Sequence, residues 1–178
     1  MIQFFWRQRI KGKSHLFYRR DKHAHFLSAL VICVLNGHIF YLCIGNGRNH
    51  DSNLLDRSGA SAFLLKNQVK VLADRGFRKP TCYYPVDPEL TEDDMEYNNI
   101  NYEHRSVVEN IYSRISKWGL ANNVFKQDVE LQHCALSVIY QIEAWKIIKR
   151  PVRDWDFEKK KTIKLKHFDL LYWGNKYN

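Results

Sequence analysis

The sequence predicts a mixed α/β domain, and three observations carry that prediction. Two strand-like runs are joined by Asn36-Gly37, a pair typical of tight hairpins. A shorter apolar run, "VKVLA", ends at Asp74. Two later segments, Tyr102 to Trp118 and Val129 to Ile148, carry apolar residues at helical spacing. Strands and helices therefore share one domain.

Composition limits the class of partner. The 178 residues are 45% hydrophobic, which is enough for one domain with a buried core. Lys and Arg number 28 against 19 acidic residues, and the net charge of +9 favours nucleic acid or an anionic membrane surface. Because the sequence has no run of about 18 apolar residues and no signal-peptide layout, we expect an intracellular protein without a transmembrane helix.

The first half of the chain predicts strands and then a helix. "IQFFWRQRI" predicts a short strand, and the hairpin strands run from His25 to Leu35 and from His38 to Ile44, joined by a type I′ turn. A helix through "NLLDRSGASAFLLKNQ" follows, capped by Asp51 or Ser52. Gly59 weakens the continuity of that helix.

The second half predicts a strand, a loop and two helices. "VKVLA" reads as a short buried strand, and the proline- and acid-rich stretch from Arg78 to Asn101 reads as a loop. Two helices follow, and Pro151 ends the second. In the first helix the apolar stripe consists of Val108, Ile111, Tyr112 and Ile115. Trp118 and Trp145 are predicted to lie in the core.

Two carboxylates, Asp74 and Glu109, are candidates for a metal site. Mg²⁺ is held by a few carboxylates together with water and substrate phosphate oxygens, and such acids come from different structural elements. Asp74 lies at a strand end, and Glu109 lies on a helix face that is expected to turn inward. The alternatives are that Asp74 forms a turn with Gly76 and that Glu109 only pairs with Arg105.

Three segments stand out in order along the chain: "GNGRNHDSNLLDRSG", "VLADRGF" and "NYEHRSVVENIYSRISKWG". They resemble the DDE-type transposases of the Harbinger group, which includes the domesticated Harbinger transposase-derived nucleases. Tyr102, Arg105 and Glu109 are also similar to the Y-x2-R-x3-E signature of related bacterial insertion-sequence transposases, although the lysine that usually follows falls one position late, at Lys117. The resemblance covers about Tyr18 to Arg150.

The resemblance implies a ribonuclease-H-like mixed sheet with flanking helices in residues 1–150. The composition of residues 151–178, with a lysine run and aromatic residues, predicts a basic, aromatic extension. The resemblance also implies a DNA endonuclease or transposase that uses Mg²⁺ or Mn²⁺, held by two aspartates and a glutamate. Asp74 matches the second catalytic aspartate, Glu109 matches the glutamate, and Asp51 matches a supporting acid.

The same resemblance also implies the substrate, the partners and the location of the protein. It implies double-stranded DNA as the substrate, a separate DNA-binding protein or domain for targeting, a nuclear location and no membrane contact; it leaves the oligomeric state open. The DNA contacts are expected from four basic side chains around the two acids: Arg75, Arg105, Arg114 and Lys117.

The chain departs from the family pattern at its start. The family's first aspartate should fall at or just before Met1, and "MIQFFWRQR" contains no acidic residue. We therefore expect either a chain that starts one strand late, with a truncated first strand, or a decayed copy. Catalysis is expected to be impaired. The alternative is a catalytically inactive, transposon-derived module that binds DNA or protein.

Overall fold

The computed structural model describes residues 2–6, 14–86, 88 and 91–153. The predicted mixed α/β class is confirmed. The strands are β1 (Ile2–Trp6), β2 (Tyr18–Arg19), β3 (Ala24–Cys33), β4 (Ile39–Asn46), β5 (Val71–Leu72) and β6 (Cys82–Tyr83). The helices are α1 (Ser14–Phe17), α2 (Asp51–Arg57), α3 (Ala60–Lys66), α4 (Glu92–Ser116), α5 (Gly119–Asn122) and α6 (Val129–Lys149), with a 3₁₀ turn at Arg20–Lys22.

The main sheet is antiparallel and has β3 at its centre. β1 pairs with β3 from Ile2 opposite Leu30 to Trp6 opposite Phe26. β4 pairs along β3 and β2 pairs with the start of β3. β5 and β6 form a separate two-stranded parallel sheet. The predicted strand at Asp74 is therefore present, but it is short and lies outside the main sheet.

Two hydrophobic cores lie on the two faces of the main sheet. Successive side chains of a strand point to opposite faces, so β3 supplies both cores. Leu27 and Val31 pack in the first core against α4 and α6. Leu30 and Ile32 pack in the second core with residues of α2, α3 and β6. The sheet is thus covered by helices on one face and by helices with the small sheet on the other.

The predicted hairpin is confirmed, but its predicted turn type is wrong. A type I′ turn needs positive φ at both central residues, and here only Gly37 has it, at 94°. The amide of Gly37 donates to the carbonyl of Val34 over 2.8 Å, which makes a longer loop. Asn36 is 8% exposed, and its side-chain Oδ1 accepts from the amide of His38 over 3.1 Å. This bond holds Asn36 outside the left-handed region.

The helix predicted after the hairpin is two helices. α2 ends at Arg57 and α3 begins at Ala60, and Gly59 between them has a φ of 79°. The expected break at glycine is confirmed. The expected cap is wrong, because His50 occupies the cap position and no side chain caps the helix there.

The predicted loop from Arg78 to Asn101 is wrong over much of its length. It contains β6, and α4 already begins at Glu92. Thr91 and Asp94 form a capping box, each side chain accepting from the other residue's amide over 3.1 Å. Acidic residues in the first turn of α4 also interact favourably with the positive end of the helix dipole. The acidic run that reads as loop is therefore a helix start.

Both predicted helices are present, and one tryptophan differs from the prediction. α4 buries Ile111, Tyr112 and Ile115 as expected. Trp145 on α6 is 58% exposed, so its predicted core position is wrong, whereas Trp118 is half-buried against the first core. None of the described helices is long and apolar enough to cross a membrane.

Candidate functional site

Asp74 lies in a tight turn immediately after β5. Its Oδ1 accepts from the amide of Gly76 over 2.8 Å, and its carbonyl accepts from the amide of Phe77 over 3.1 Å. Ala73 and Phe77, on either side of the turn, are buried in the second core. The turn alternative is thus observed, and the buried flanks hold the carboxylate at the surface in a fixed place.

Helix α4 fixes the segment opposite this turn. Asn98 accepts from the amide of Val86 over 2.8 Å and donates to its carbonyl over 2.9 Å. Asn101 donates to the carbonyl of Tyr83 over 3.1 Å. Asn98 thus pairs both backbone groups of Val86, whereas the carbonyl of Tyr83 also accepts from the amide of Ala73 over 2.8 Å. The two asparagines bind the chain after β6 to the first half of α4.

The turn, this segment and α4 enclose a cleft of about 530 Å³, called here the Asp74 cleft. It is lined by Asp74, Arg75, Gly76, Pro85, Asn98, Asn99, Tyr102 and Arg105. The Nε of Arg105 is buried and has no hydrogen-bond partner among the described residues. The cleft therefore has a carboxylate and two arginine side chains, Arg75 and Arg105, in its lining.

Glu109 differs from its expected environment. It is exposed, and no hydrogen bond or ion pair joins it to Arg105, although both residues are described. The inward-turned face predicted for it is wrong, because Val107 and Ile111 occupy that face. At 100° per residue Glu109 shares a helix face with Tyr102 and Arg105, one turn beyond the cleft. It thus flanks the Asp74 cleft without lining it.

The other two predicted DNA contacts lie in a second cleft of about 540 Å³, called the Glu143 cleft. It is lined by Arg114, Lys117, Trp118, Gly119, Glu143 and Lys146. Oε1 of Glu143 accepts from Trp118 Nε1 over 2.9 Å and from Lys146 Nζ over 2.7 Å. The Lys146 ammonium also lies 4.9 Å from the centroid of the Trp118 ring. Three cations face one acid, so the cleft is positive.

The electrostatics of Glu143 follow from these contacts. Burial raises the pKa of Glu143, but hydrogen bonds from Lys146 and Trp118 and the charges of Lys146 and Arg114 outweigh it, so the pKa lies below its ordinary value. The residue is 4% exposed and ionised. Sequence reasoning missed Glu143 and Lys146, and it placed Trp118 only in the core.

The described residues do not assemble a complete site for a divalent metal ion. Among them no group of three or more His, Cys, Asp or Glu side chains could hold one. Asp74 contributes one carboxylate to its cleft, and Glu109 lies a turn away. Asp51 is the first residue of α2, and its side chain lies outside the described part of the structure. Asp74 and Glu109 together supply fewer carboxylates than a site for a pair of metal ions needs.

The fold is a mixed α/β domain, and each of its two clefts places an acid beside basic side chains. A scan against family models matches residues 3–144 to the DDE superfamily endonucleases, and the chain belongs to this family. The family acts on DNA and generally uses divalent metal ions. The chain matches no curated protein and no solved structure.

Proposed function

We propose that this chain is a Harbinger-type DDE domain that binds double-stranded DNA through its two clefts and whose cleavage centre is incomplete. The observation that supports the proposal best is the Asp74 cleft, which Asp74, Arg75 and Arg105 line together. The proposal includes a nuclear location and a separate protein or domain that selects the target.

Arg105 lines the Asp74 cleft, and a phosphate oxygen is a strong acceptor for a guanidinium group. Arg75 lines the same cleft and adds a second cation. In the Glu143 cleft, Arg114 and Lys117 add two more. Helix α4 contributes residues to both clefts, with Arg105 and Arg114 about 180° apart around its axis.

Asp74 and Glu109 are the proposed remaining acids of the family's metal centre. A Mg²⁺ or Mn²⁺ ion there would need a third carboxylate from outside the described residues, because β1 carries no acid and no three-ligand group is present among the described side chains. We therefore assign no cleavage step to these residues alone. The same observation favours a second candidate function, a module that binds DNA and does not cut it.

DNA affinity tests the role of the clefts. Fluorescence anisotropy with a double-stranded probe should show about 5- to 10-fold weaker binding for Arg105→Ala, with a salt dependence reduced by about one counterion. The double variant Arg114→Ala/Lys117→Ala should weaken binding further. Arg57→Ala is the matched control, since it removes one exposed arginine on α2 that lines neither cleft. Equal losses for Arg57→Ala and Arg105→Ala would refute the cleft.

Plasmid nicking separates the two candidate functions. Nicking that requires Mg²⁺ or Mn²⁺, and that is lost in Asp74→Ala and Glu109→Gln but kept in Glu130→Gln, would establish the metal-dependent nuclease. Binding that is insensitive to metal and leaves the plasmid intact would establish the inactive module. A chain that neither binds nor nicks DNA would overturn both candidates.

A further inference from the structure

The outer face of α6 carries an apolar stripe that the sheet does not cover. Its members are Leu131, Cys134, Val138, Gln141, Trp145 and Ile148, all exposed. Leu131 is 49% exposed and Trp145 is 58% exposed, and the values for Val138 and Ile148 are 52% and 63%. The spacing alternates between three and four residues over the whole helix. This is the repeat by which one helix packs along another.

The α6 stripe differs from an ordinary solvated helix face, which carries charged residues. No member of the stripe is charged, although the chain has a net charge of +9. The positions beside it are also uncharged over the central turns: Ala135, Ser137, Ile142 and Ala144. A cation lies only at its C-terminal end, where the Lys149 ammonium is 4.5 Å from the centroid of the Trp145 ring. A patch of this kind marks a protein contact.

We propose that the α6 stripe is a two-fold interface between two copies of this chain, with the two α6 helices antiparallel. The stripe is centred between Ile139 and Tyr140, which is also the middle of α6. In an antiparallel pair the two α6 helices therefore overlap along their full length. Each stripe residue then lies opposite a stripe residue of the other copy, and each such pair forms one layer of the interface. The layers pair Leu131 with Ile148, Cys134 with Trp145, and Val138 with Gln141.

Size supports this pairing. The largest side chain of the stripe, Trp145, faces one of the smallest, Cys134, so the layer is filled without a clash. The small flanking residues Ala135 and Ala144 allow the helices to approach to about 8–10 Å. Two parallel helices would instead place Trp145 against Trp145 and leave Cys134 against Cys134.

The area is suited to a weak dimer. From the exposed fractions, the stripe offers roughly 500 Å² per chain, or about 1,000 Å² for the pair, which is at the lower limit of specific interfaces. We therefore expect a dissociation constant in the micromolar range. This inference does not depend on DNA binding, because no stripe residue lines either cleft.

Sedimentation equilibrium of the full chain over a range of concentrations tests the dimer. The unaltered chain should show reversible dimerisation, and Val138→Glu should weaken it by at least about 10-fold. Leu65→Glu is the matched control, because Leu65 is 60% exposed on α3 and the change in charge is the same. Thermal melts should show both variants folded. A chain that stays monomeric at every concentration, as it would if residues 154–178 or another protein covered the stripe, overturns the inference.

Disulfide trapping tests the antiparallel arrangement. In Trp145→Cys the new thiol faces Cys134 of the other copy, so oxidation should yield a covalent dimer. Within one chain the two thiols are 11 positions apart, about 16 Å along the helix, and cannot join. The control Trp145→Cys/Cys134→Ser should stay monomeric on a non-reducing gel. A Cys134 to Cys134 link in the unaltered chain would indicate parallel helices and overturn the arrangement.

Discussion

Replacing Glu143 by glutamine should destabilise the fold in a pH-dependent way. One carboxylate oxygen accepts from both Trp118 and Lys146, and the Glu143 side chain is 5% exposed. Glutamine keeps an oxygen that can accept from the indole, but it removes the charge that pairs with the ammonium. The variant therefore isolates the charge from the packing.

The magnitude follows from the exposure of the two partners. Hydrogen bonds to charged groups contribute about 1.5–3 kcal/mol each. The Lys146 side chain is 50% exposed and regains water when the carboxylate is lost, so only part of that contribution disappears. We expect Glu143→Gln to lower the free energy of unfolding by about 1–2 kcal/mol at neutral pH. Glu143→Ala should cost about 1–2 kcal/mol more, because the indole N–H then lacks an acceptor.

Urea denaturation over a pH series measures this effect. Because the folded pKa of Glu143 lies below its ordinary value, the stabilisation is fully present above the unfolded pKa of about 4.3 and is lost as the pH falls through the folded pKa. The gap between the unaltered chain and Glu143→Gln should therefore close below about pH 4. Glu130→Gln, an exposed acid on the same helix, is the control. A gap that is absent at neutral pH, or constant across the series, would refute the reasoning.

Three further changes test the local structure. Asp74→Asn keeps the turn acceptor and removes a negative charge from its cleft, so DNA should bind about 2- to 5-fold more tightly by anisotropy. Asp74→Ala removes the acceptor as well and should lower the free energy of unfolding by about 1 kcal/mol in urea denaturation. Gly47→Ala should cost about 2 kcal/mol or more, because its Cβ would overlap the carbonyl oxygen of Phe26; Gly119→Ala, whose Cβ would be in ordinary contact with the Asn123 side-chain amide at 3.7 Å, should be neutral in the same assay. Thr91→Ala should lower the melting temperature by the equivalent of about 1 kcal/mol through loss of the α4 cap.

The sequence predicts elements whose signal is local and misses those that depend on distant contacts. The Asn36-Gly37 hairpin and the break at Gly59 are correct because a turn and a helix break are decided by a few adjacent residues. The turn type is wrong because the amide of Gly37 closes the loop on the carbonyl of Val34. Asn36 is held both by the amide of His38 nearby and by a contact across the fold, its carbonyl accepting from the amide of Val152 over 2.9 Å. β6 has only two residues, too few to show a periodicity, and its position depends on pairing with β5 and on packing in the second core.

The candidate site also combines residues that the sequence predicts with distant contacts that it does not predict. Asp74 and Arg105 line one cleft, and each was expected at the site from its motif. Their meeting depends on Asn98 and Asn101, which bind the chain after β6 to α4. These two residues lie in a stretch that reads as loop from its prolines and acids. Sequence reasoning could name the chemical groups, but the cleft itself arises from amide contacts between segments that are separate in the chain.

Helical periodicity, when it is applied to every position of α4 and α6, distinguishes the acid that is buried from the acid that is exposed. Glu109 has apolar neighbours in the sequence, but at 100° per residue it lies about 160° around the helix from both Val107 and Ile111, on the outer side. Glu143 lies within about 60° of Tyr140 and Ile147, both buried, and it is the acid that needs partners. The periodicity therefore indicates Glu143 as the buried carboxylate, and it leaves Glu109 free to face a ligand at the surface.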